Sequence, residues 1–352
     1  MLRHPEALPL HAFVLPSRRS ASATGPADAS RPRDRWWGFI LGRLLREADR
    51  GPAHCQQIAR QQWLFAAKRA RATLNPMDLP APIAPAHQRA DGRAELVLGA
   101  APAGARLRHL FHAAPLRLLF PDTDPGDPTL GAFVNVAGGL AGGDALSVML
   151  TLEEGARFTA TTPAAEKIYR SLGAETRIAS SLNFGENACC EWLPQETILF
   201  EGARLSRRLD IALAPGARLL AAEMLVFGRA ARGERFRHGS LHDAWRIRRD
   251  GRLVWADALS LAEPAAALDR RFVLDGAGAV ATLLLSAPEA AQHRALAREL
   301  ADGSAGLVAP DLLVARWVGE ASAVRAALGT AIATLRQAAF GHPARLPRLW
   351  RT

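Results

Sequence analysis

Lysine is almost absent from this chain of 352 residues: Lys68 and Lys167 are the two lysines among 44 basic residues, and arginine supplies the rest. A phosphate-cradling P-loop needs a lysine directly after a glycine. Ala67 and Glu166 precede the two lysines here, so the chain is not itself a P-loop nucleotidase. Cysteine is nearly as scarce. Three residues, Cys55, Cys189 and Cys190, cannot build a disulfide framework, which points to a reducing compartment. Long apolar runs are missing too. The longest stretch without Lys, Arg, Asp or Glu, Pro128 to Gly143, is short and glycine-rich, which excludes a transmembrane helix there. The first nineteen residues carry no apolar segment followed by a small-residue cleavage site, so the expected location is cytoplasmic. Gly-x-Ser-x-Gly, His-Glu-x-x-His and Cys-x-x-Cys are all absent from the chain.

What is present is uneven. The net charge is +10, but residues 1–87 carry 13 Lys and Arg against 6 Asp and Glu, while the other 265 carry 31 against 28. The basicity belongs to the N-terminal part and leaves the body nearly balanced, unlike a nucleic-acid binder with a positive folded domain. Residues 17–35 are rich in Ser, Ala, Pro, Arg and Asp without apolar periodicity and are expected to be disordered. Residues 36–71 fit basic amphipathic helices around Trp37, Leu44, Ile58 and Trp63, and residues 75–86, with four prolines, read as a linker. Residues 1–87 therefore form an expected extension, and residues 88–352 a single domain.

In that domain strands dominate. Leu146–Leu152, Arg177–Phe184 and Leu205–Leu213 alternate between apolar and polar residues. Trp245–Trp255 reads as a hairpin, with Asp250-Gly251 as a turn pair that tolerates positive φ. Helical periodicity comes late, over 288–300 and 321–340. A degenerate repeat runs through Leu150–Ala156, Leu182–Ala188 and Ile211–Ala217, with Gly155, Asn187 and Gly216 at equivalent places, 32 and 29 residues apart. Gly and Asn enter the left-handed region at low cost, so each marks a turn between strands. The predicted fold class is mainly β, a layered or solenoid-like (β-helical) body with a few helices mostly toward the C-terminus.

Few residues suggest chemistry by themselves. Cys189 and Cys190 are adjacent and on a strand point to opposite faces, one expected buried and one exposed, so they cannot share one metal. His238 and His242 flank Gly239-Ser240, and His109 and His112 lie close together, all expected to be solvent-facing polar residues. The segment Gly138-Gly139-Leu140-Ala141-Gly142-Gly143-Asp144 is dense in glycine, but a strand follows it instead of the helix a phosphate cradle needs.

Its neighbours give the segment meaning. After it come Thr161-Thr-Pro-Ala-Ala-Glu166-Lys167-Ile-Tyr169-Arg170-Ser171, Glu191-Trp192-Leu-Pro-Gln195-Glu196-Thr-Ile-Leu-Phe200, Phe227-Gly-Arg229 and the terminal Pro347–Thr352. In this order the blocks resemble the urease accessory protein D (UreD, or UreH) family over residues 93–352, and Ala114–Phe120 resembles a variant of that family's early Gly-Pro-Leu segment. The chain departs from the pattern at Val136-Ala137, where the family has Pro-Pro or His-Pro, at Ala114 for glycine, and at Glu166, usually a small or polar position. Residues 1–87 have no counterpart. The resemblance implies a non-enzymatic urease maturation factor with a largely β, solenoid-like body. Such a factor binds accessory protein F, which recruits the GTPase protein G, and contacts apo-urease; the implied assembly extends to a dimer of heterotrimers. No cofactor is implied to be permanently bound, and nickel passes transiently through an internal polar tunnel. By motif position, Asp144, Glu166, Glu223 and Asp257 match places associated with that tunnel.

A Ni²⁺ passage is best lined sparsely with oxygen ligands, since thiolate or multi-histidine sites would hold the ion. For each of the four acids the alternative is structural: a buried carboxylate satisfied by backbone amides or arginine. Two rival functions stay open on the residues alone. One is an enzyme using an acidic cleft around Asp144; the other is a nucleic-acid or membrane-surface binder acting through the basic N-terminal segment. The expected partners include neither nucleic acid nor membrane.

Overall fold

Alternation of apolar and polar residues makes a strand with one face to bury, and a chain of such strands must stack them around a shared interior. The computed structural model describes residues 89–102 and 104–351. The expected extension, with its disordered stretch, amphipathic helices and linker, lies outside the described residues. Seventeen strands, numbered in chain order, form two sheets among the described residues.

The first sheet runs in the order β14 (Arg252–Leu261), β13 (Ser240–Arg249), β11 (Arg204–Leu213), β8 (Thr176–Phe184), β5 (Ala145–Leu152), β1 (Asp91–Ala101) and β2 (Gly104–Ala113). The second runs β16 (Ala305–Ala309), β17 (Leu312–Gly319), β15 (Ala279–Ser286), β12 (Arg218–Phe227), β9 (Cys189–Leu193), β6 (Arg157–Thr161), β4 (Thr129–Asn135) and β3 (Leu116–Leu119). Two short strands, β7 (Glu166–Ile168) and β10 (Thr197–Leu199), pair with each other, and β10 also with β12. The middle of both sheets is parallel: β1, β5, β8, β11 and β13 in one, β4, β6, β9 and β12 in the other. The chain crosses from sheet to sheet and returns one strand further on, which is a β-solenoid.

The predicted repeat is the solenoid's outer turn. Gly155, Asn187 and Gly216 have φ of 67°, 55° and 70°. Each sits in the same tight turn, closed by Ala156 N to Glu153 O, Ala188 N to Gly185 O and Ala217 N to Ala214 O at 3.1–3.2 Å. The turns also bond to one another, Gly155 N to Glu186 O at 2.9 Å and Asn187 N to Pro215 O at 3.2 Å. The 245–255 hairpin is present, with Asp250 and Gly251 both at positive φ.

In the second sheet, β9, β12, β15 and β17 divide their residues between two cores. On β12, Leu219, Ala221 and Leu225 face the interior between the sheets, while Leu220, Ala222 and Met224 face a second core that holds the helices. Cys190 and Cys189 divide in the same way, so the two thiols do point to opposite faces. Both are buried, however, at 0% and 7% exposure, which corrects the expected exposed thiol: a second core covers the face that a two-layer reading leaves to solvent. Helices α1 (Pro264–Leu268) and α2 (Arg294–Leu300) are short, and α3 (Ala321–Phe340) is the long one the periodicity predicts. Glu320 caps α3, accepting from Ala323 N at 3.0 Å, and Gly341 ends it at φ 66°. No described helix is long and apolar enough to cross a membrane.

A buried ionic cluster fastens α3 to the second sheet. Arg336, fully enclosed, donates from Nε to Glu191 Oε1 at 2.7 Å and from Nη2 to Glu191 Oε2 at 3.0 Å and Asp127 Oδ1 at 3.1 Å. Thr159 donates to Glu191 Oε2, and His342 Nδ1 lies 2.8 Å from Glu191 Oε1. Burial pushes the Glu191 carboxyl up, but these hydrogen bonds and the charges behind them outweigh it and hold the group below its ordinary 4.5.

Candidate functional site

The inward rows of the two sheets are almost entirely apolar, so each polar residue among them stands out. On β11 the inward residues are Leu205, Arg207, Leu209, Ile211 and Leu213; on β13, Leu241, Asp243, Trp245 and Ile247. Strand register places Arg207 beside Asp243. Across the interior, Glu223 takes an inward place on β12. These three line or adjoin a cavity of about 90 Å³ between the two sheets. Its wall also includes Asn135, Thr161, Glu166, Trp192, Gln195 and Thr197.

Arg207 holds the inner end together. Its Nε and Nη2 donate to Asp243 Oδ1 and Oδ2, both at 2.8 Å, and its Nη1 donates to Thr197 Oγ1 at 3.1 Å. Glu223 Oε2 lies 3.0 Å from Arg207 Nη2 but off the hydrogen-bonding direction, so that oxygen has an ion pair without a hydrogen bond. Glu223 Oε1 accepts from the Trp192 indole at 3.3 Å. Two carboxylates share one guanidinium, whose single charge can balance one of them. Burial, first, and then the Asp243 charge push the Glu223 carboxyl above its ordinary range, against the pull of Arg207 and of the Trp192 and Trp245 indoles.

Glu166, at the start of β7, is half-buried. Asn135 Nδ2 donates to both of its oxygens, at 3.0 and 3.2 Å, and the Lys167 amide donates to Oε1 at 3.2 Å. Burial still dominates, and the carboxyl is pushed up to about 7. Glu166 thus keeps contact with solvent while Glu223, in the same cavity, is enclosed.

Asp144 and Asp257 lie elsewhere. Asp144 accepts from Ala90 N at 2.9 Å and Ala141 N at 2.7 Å, so both of its oxygens serve backbone amides that close the glycine loop. Asp257 accepts from Arg316 at 2.5 Å, with over a third of its side chain exposed. Neither lines the cavity. The structure therefore brings together Glu166 and Glu223 of the four acids singled out, and separates the other two.

The glycine loop serves packing. A side chain on Gly142 would come within 2.1 Å of Ser171 Oγ, and one on Gly139 within 2.6 Å of the Tyr169 ring. Gly138 accepts from Tyr169 Oη at 2.8 Å, and Leu140 N donates to Lys167 O at 2.8 Å. Gly143 N donates to Glu175 O, and Arg170 forms a bridge with Ala203, so the two motif blocks build one corner of the solenoid. The third block anchors the C-terminal segment. Gln195 Nε2 donates to Leu349 O at 2.7 Å, and Arg325 of α3 pairs with Gln195 Oε1 at 2.8 Å and Glu196 Oε2 at 3.2 Å.

The remaining histidines singled out are peripheral. His238 pairs with Glu201, and His242 Nδ1 meets Ser260 Oγ at 2.8 Å, both exposed. His109 lies 3.4 Å from Glu95, and His112 accepts from Leu118 N at 3.3 Å. Among the described residues no three His, Cys, Asp or Glu side chains gather as a metal-holding cluster. Sequence reading missed Arg207, Asp243, Thr197 and Asn135. The signal for the first two was there: each breaks an apolar row at an inward position of an alternating strand.

Comparison with known proteins follows the same residues. The family model described as UreD urease accessory protein matches residues 90–351. The chain is 49% identical over 238 residues to "Urease accessory protein UreD" of Granulibacter bethesdensis, an alignment that covers 66% of this chain and 99% of that relative. It is 46% identical over 289 residues to the protein of the same name from a Methylobacterium species, covering 78% and 99%. Against that of Magnetococcus marinus it is 43% identical over 257 residues, covering 70% and 89%.

Proposed function

Since the chain belongs to the UreD urease accessory protein family and has a role in urease maturation, we propose that it is a non-enzymatic scaffold through which nickel reaches apo-urease. In this reading it works in the cytoplasm, bound to accessory protein F, to the GTPase protein G through F, and to apo-urease, in an assembly that extends to a dimer of heterotrimers. Nickel is cargo, held transiently. Residues 1–87 form an extension dispensable for this role.

The observation that carries the reading is the cavity between the sheets, with a solvent-touching carboxyl at Glu166 and an enclosed one at Glu223. A divalent ion leaving water loses hydration that carboxylate and hydroxyl oxygens can replace. Asn135 orients Glu166, and Trp192 orients Glu223. Asp144 and Asp257, bonded to backbone amides and to Arg316, lie outside this cavity.

The test is reconstitution. Apo-urease, proteins F and G, GTP and Ni²⁺ should give active urease when this chain, or the chain lacking residues 1–87, is added. Equal activation without it, or turnover of urea or GTP by the homogeneous chain alone, overturns the scaffold reading.

A further inference from the structure

Four polar groups converge at the inner end of the cavity, and one of them is itself a cation. Arg207, Asp243, Glu223 and Thr197 are each more than nine-tenths buried. The guanidinium fork lies on both oxygens of Asp243 at 2.8 Å, reaches Thr197 Oγ1 at 3.1 Å, and comes within 3.0 Å of Glu223 Oε2. A bidentate arginine–carboxylate pair is complete in charge and geometry. Glu223 is surplus to it. A second carboxylate that is enclosed, lines the cavity, and lacks a directed hydrogen bond on one oxygen is a cost to a purely structural ion pair.

The arrangement makes sense as a cation site with its occupant tethered to the chain. Two carboxylates and a hydroxyl around one guanidinium are oxygen donors of the kind that a divalent ion takes. We propose that Asp243, Glu223 and Thr197 form an oxygen-ligand site for a divalent cation of the Ni²⁺ kind, and that Arg207 fills it as an internal counter-cation which an arriving ion must displace. The inference deepens the passage reading and rests on it for the identity of the ion. Arg207 has a flexible three-carbon stem and a weakly hydrated head, so its guanidinium can swing aside while the backbone of β11 stays in register. Its charge keeps the oxygens from trapping an ion: a like charge a few Å away lowers residence, and its return helps to expel the cargo.

The experiment measures metal binding by the purified full-length chain, with NiSO₄ as the probe. Isothermal titration and equilibrium dialysis follow the wild type, Arg207→Met, and Arg207→Met combined with Asp243→Asn. Arg207→Met should gain one Ni²⁺ per chain with affinity at least about tenfold above wild type, the effect of removing one nearby positive charge. The double variant should lose that gain. If Arg207→Met does not fold, Arg207→Gln is read in its place. It removes the charge but keeps an amide donor for Asp243, so it too should bind Ni²⁺ more tightly than wild type. Wild-type binding in whichever variant folds, or a gain that survives Asp243→Asn, overturns the counter-cation assignment. The passage reading is judged separately, by urease activation in Glu223→Gln. Loss of activation there with no gain in Arg207→Met removes the displaceable arginine and leaves the passage. A gain in Arg207→Met with full activation in Glu223→Gln does the reverse.

Discussion

Burial pushes the Glu166 carboxyl up to about 7, against hydrogen bonds from Asn135 and Lys167. A group whose folded pKa is raised favours folding fully below its unfolded value and loses that contribution as pH rises through its folded value. Glu166 therefore costs stability from pH 4.5 upward, reaching its full cost above about 7. Glutamine keeps an acceptor for Asn135 without the charge. Glu166→Gln should match wild type near pH 4 and exceed it at pH 8 by on the order of 1–3 kcal/mol in chemical denaturation. An equal difference at both pH values would show that ionisation of this carboxyl does not matter to the fold. Glu166 was legible in the sequence because it interrupts a recognisable block. Its partner Asn135 was not, since the two lie 31 residues apart and meet through β4 and β7.

Among the elements, α3 has a demanding attachment, because it brings an enclosed arginine to the sheet. Glu191 neutralises Arg336 and is held below its ordinary 4.5. A depressed carboxylate contributes stability above its unfolded pKa and loses it as pH falls through the folded one. Glu191→Gln should cost about 3 kcal/mol at pH 7, since it leaves the arginine with Asp127 alone. The deficit should shrink steadily below pH 4.5, and thermal or urea unfolding at pH 7 and pH 3.5 measures it. A deficit that stays constant would mean that packing, not charge, fastens the helix. The helix itself was readable from its 3.6 period, and the outer turns from Gly155, Asn187 and Gly216. What attaches the helix was not: Glu191 and Arg336 are 145 residues apart, and each sits in a stretch that reads as ordinary core.

For the whole molecule, the sequence carries the solenoid's period but not what faces what across its interior. Leu205-x-Arg207-x-Leu209 and Leu241-x-Asp243-x-Trp245 announce two polar residues on inward faces, yet parallel pairing of β11 with β13 is needed to make them one ion pair. Glu223 could be singled out from its apolar run, while Asp144 and Asp257 share that local signature without sharing the cavity. Local apolarity reports burial; it does not report which buried space a side chain enters.

In the proposed passage Glu223 is the enclosed carboxylate that nickel meets. Replacing it should leave the fold sound, because Arg207 and Asp243 already neutralise each other and the surplus charge is what goes. The most direct measurement is nickel per urease active site after reconstitution with Glu223→Gln, read beside the yield of the accessory complex and the melting temperature of the chain. Nickel content should fall by about tenfold or more, since even partners one shell removed from a metal act on that scale, with complex yield and melting temperature at or above wild type. Wild-type nickel content, or a loss that tracks falling complex yield, would contradict that role.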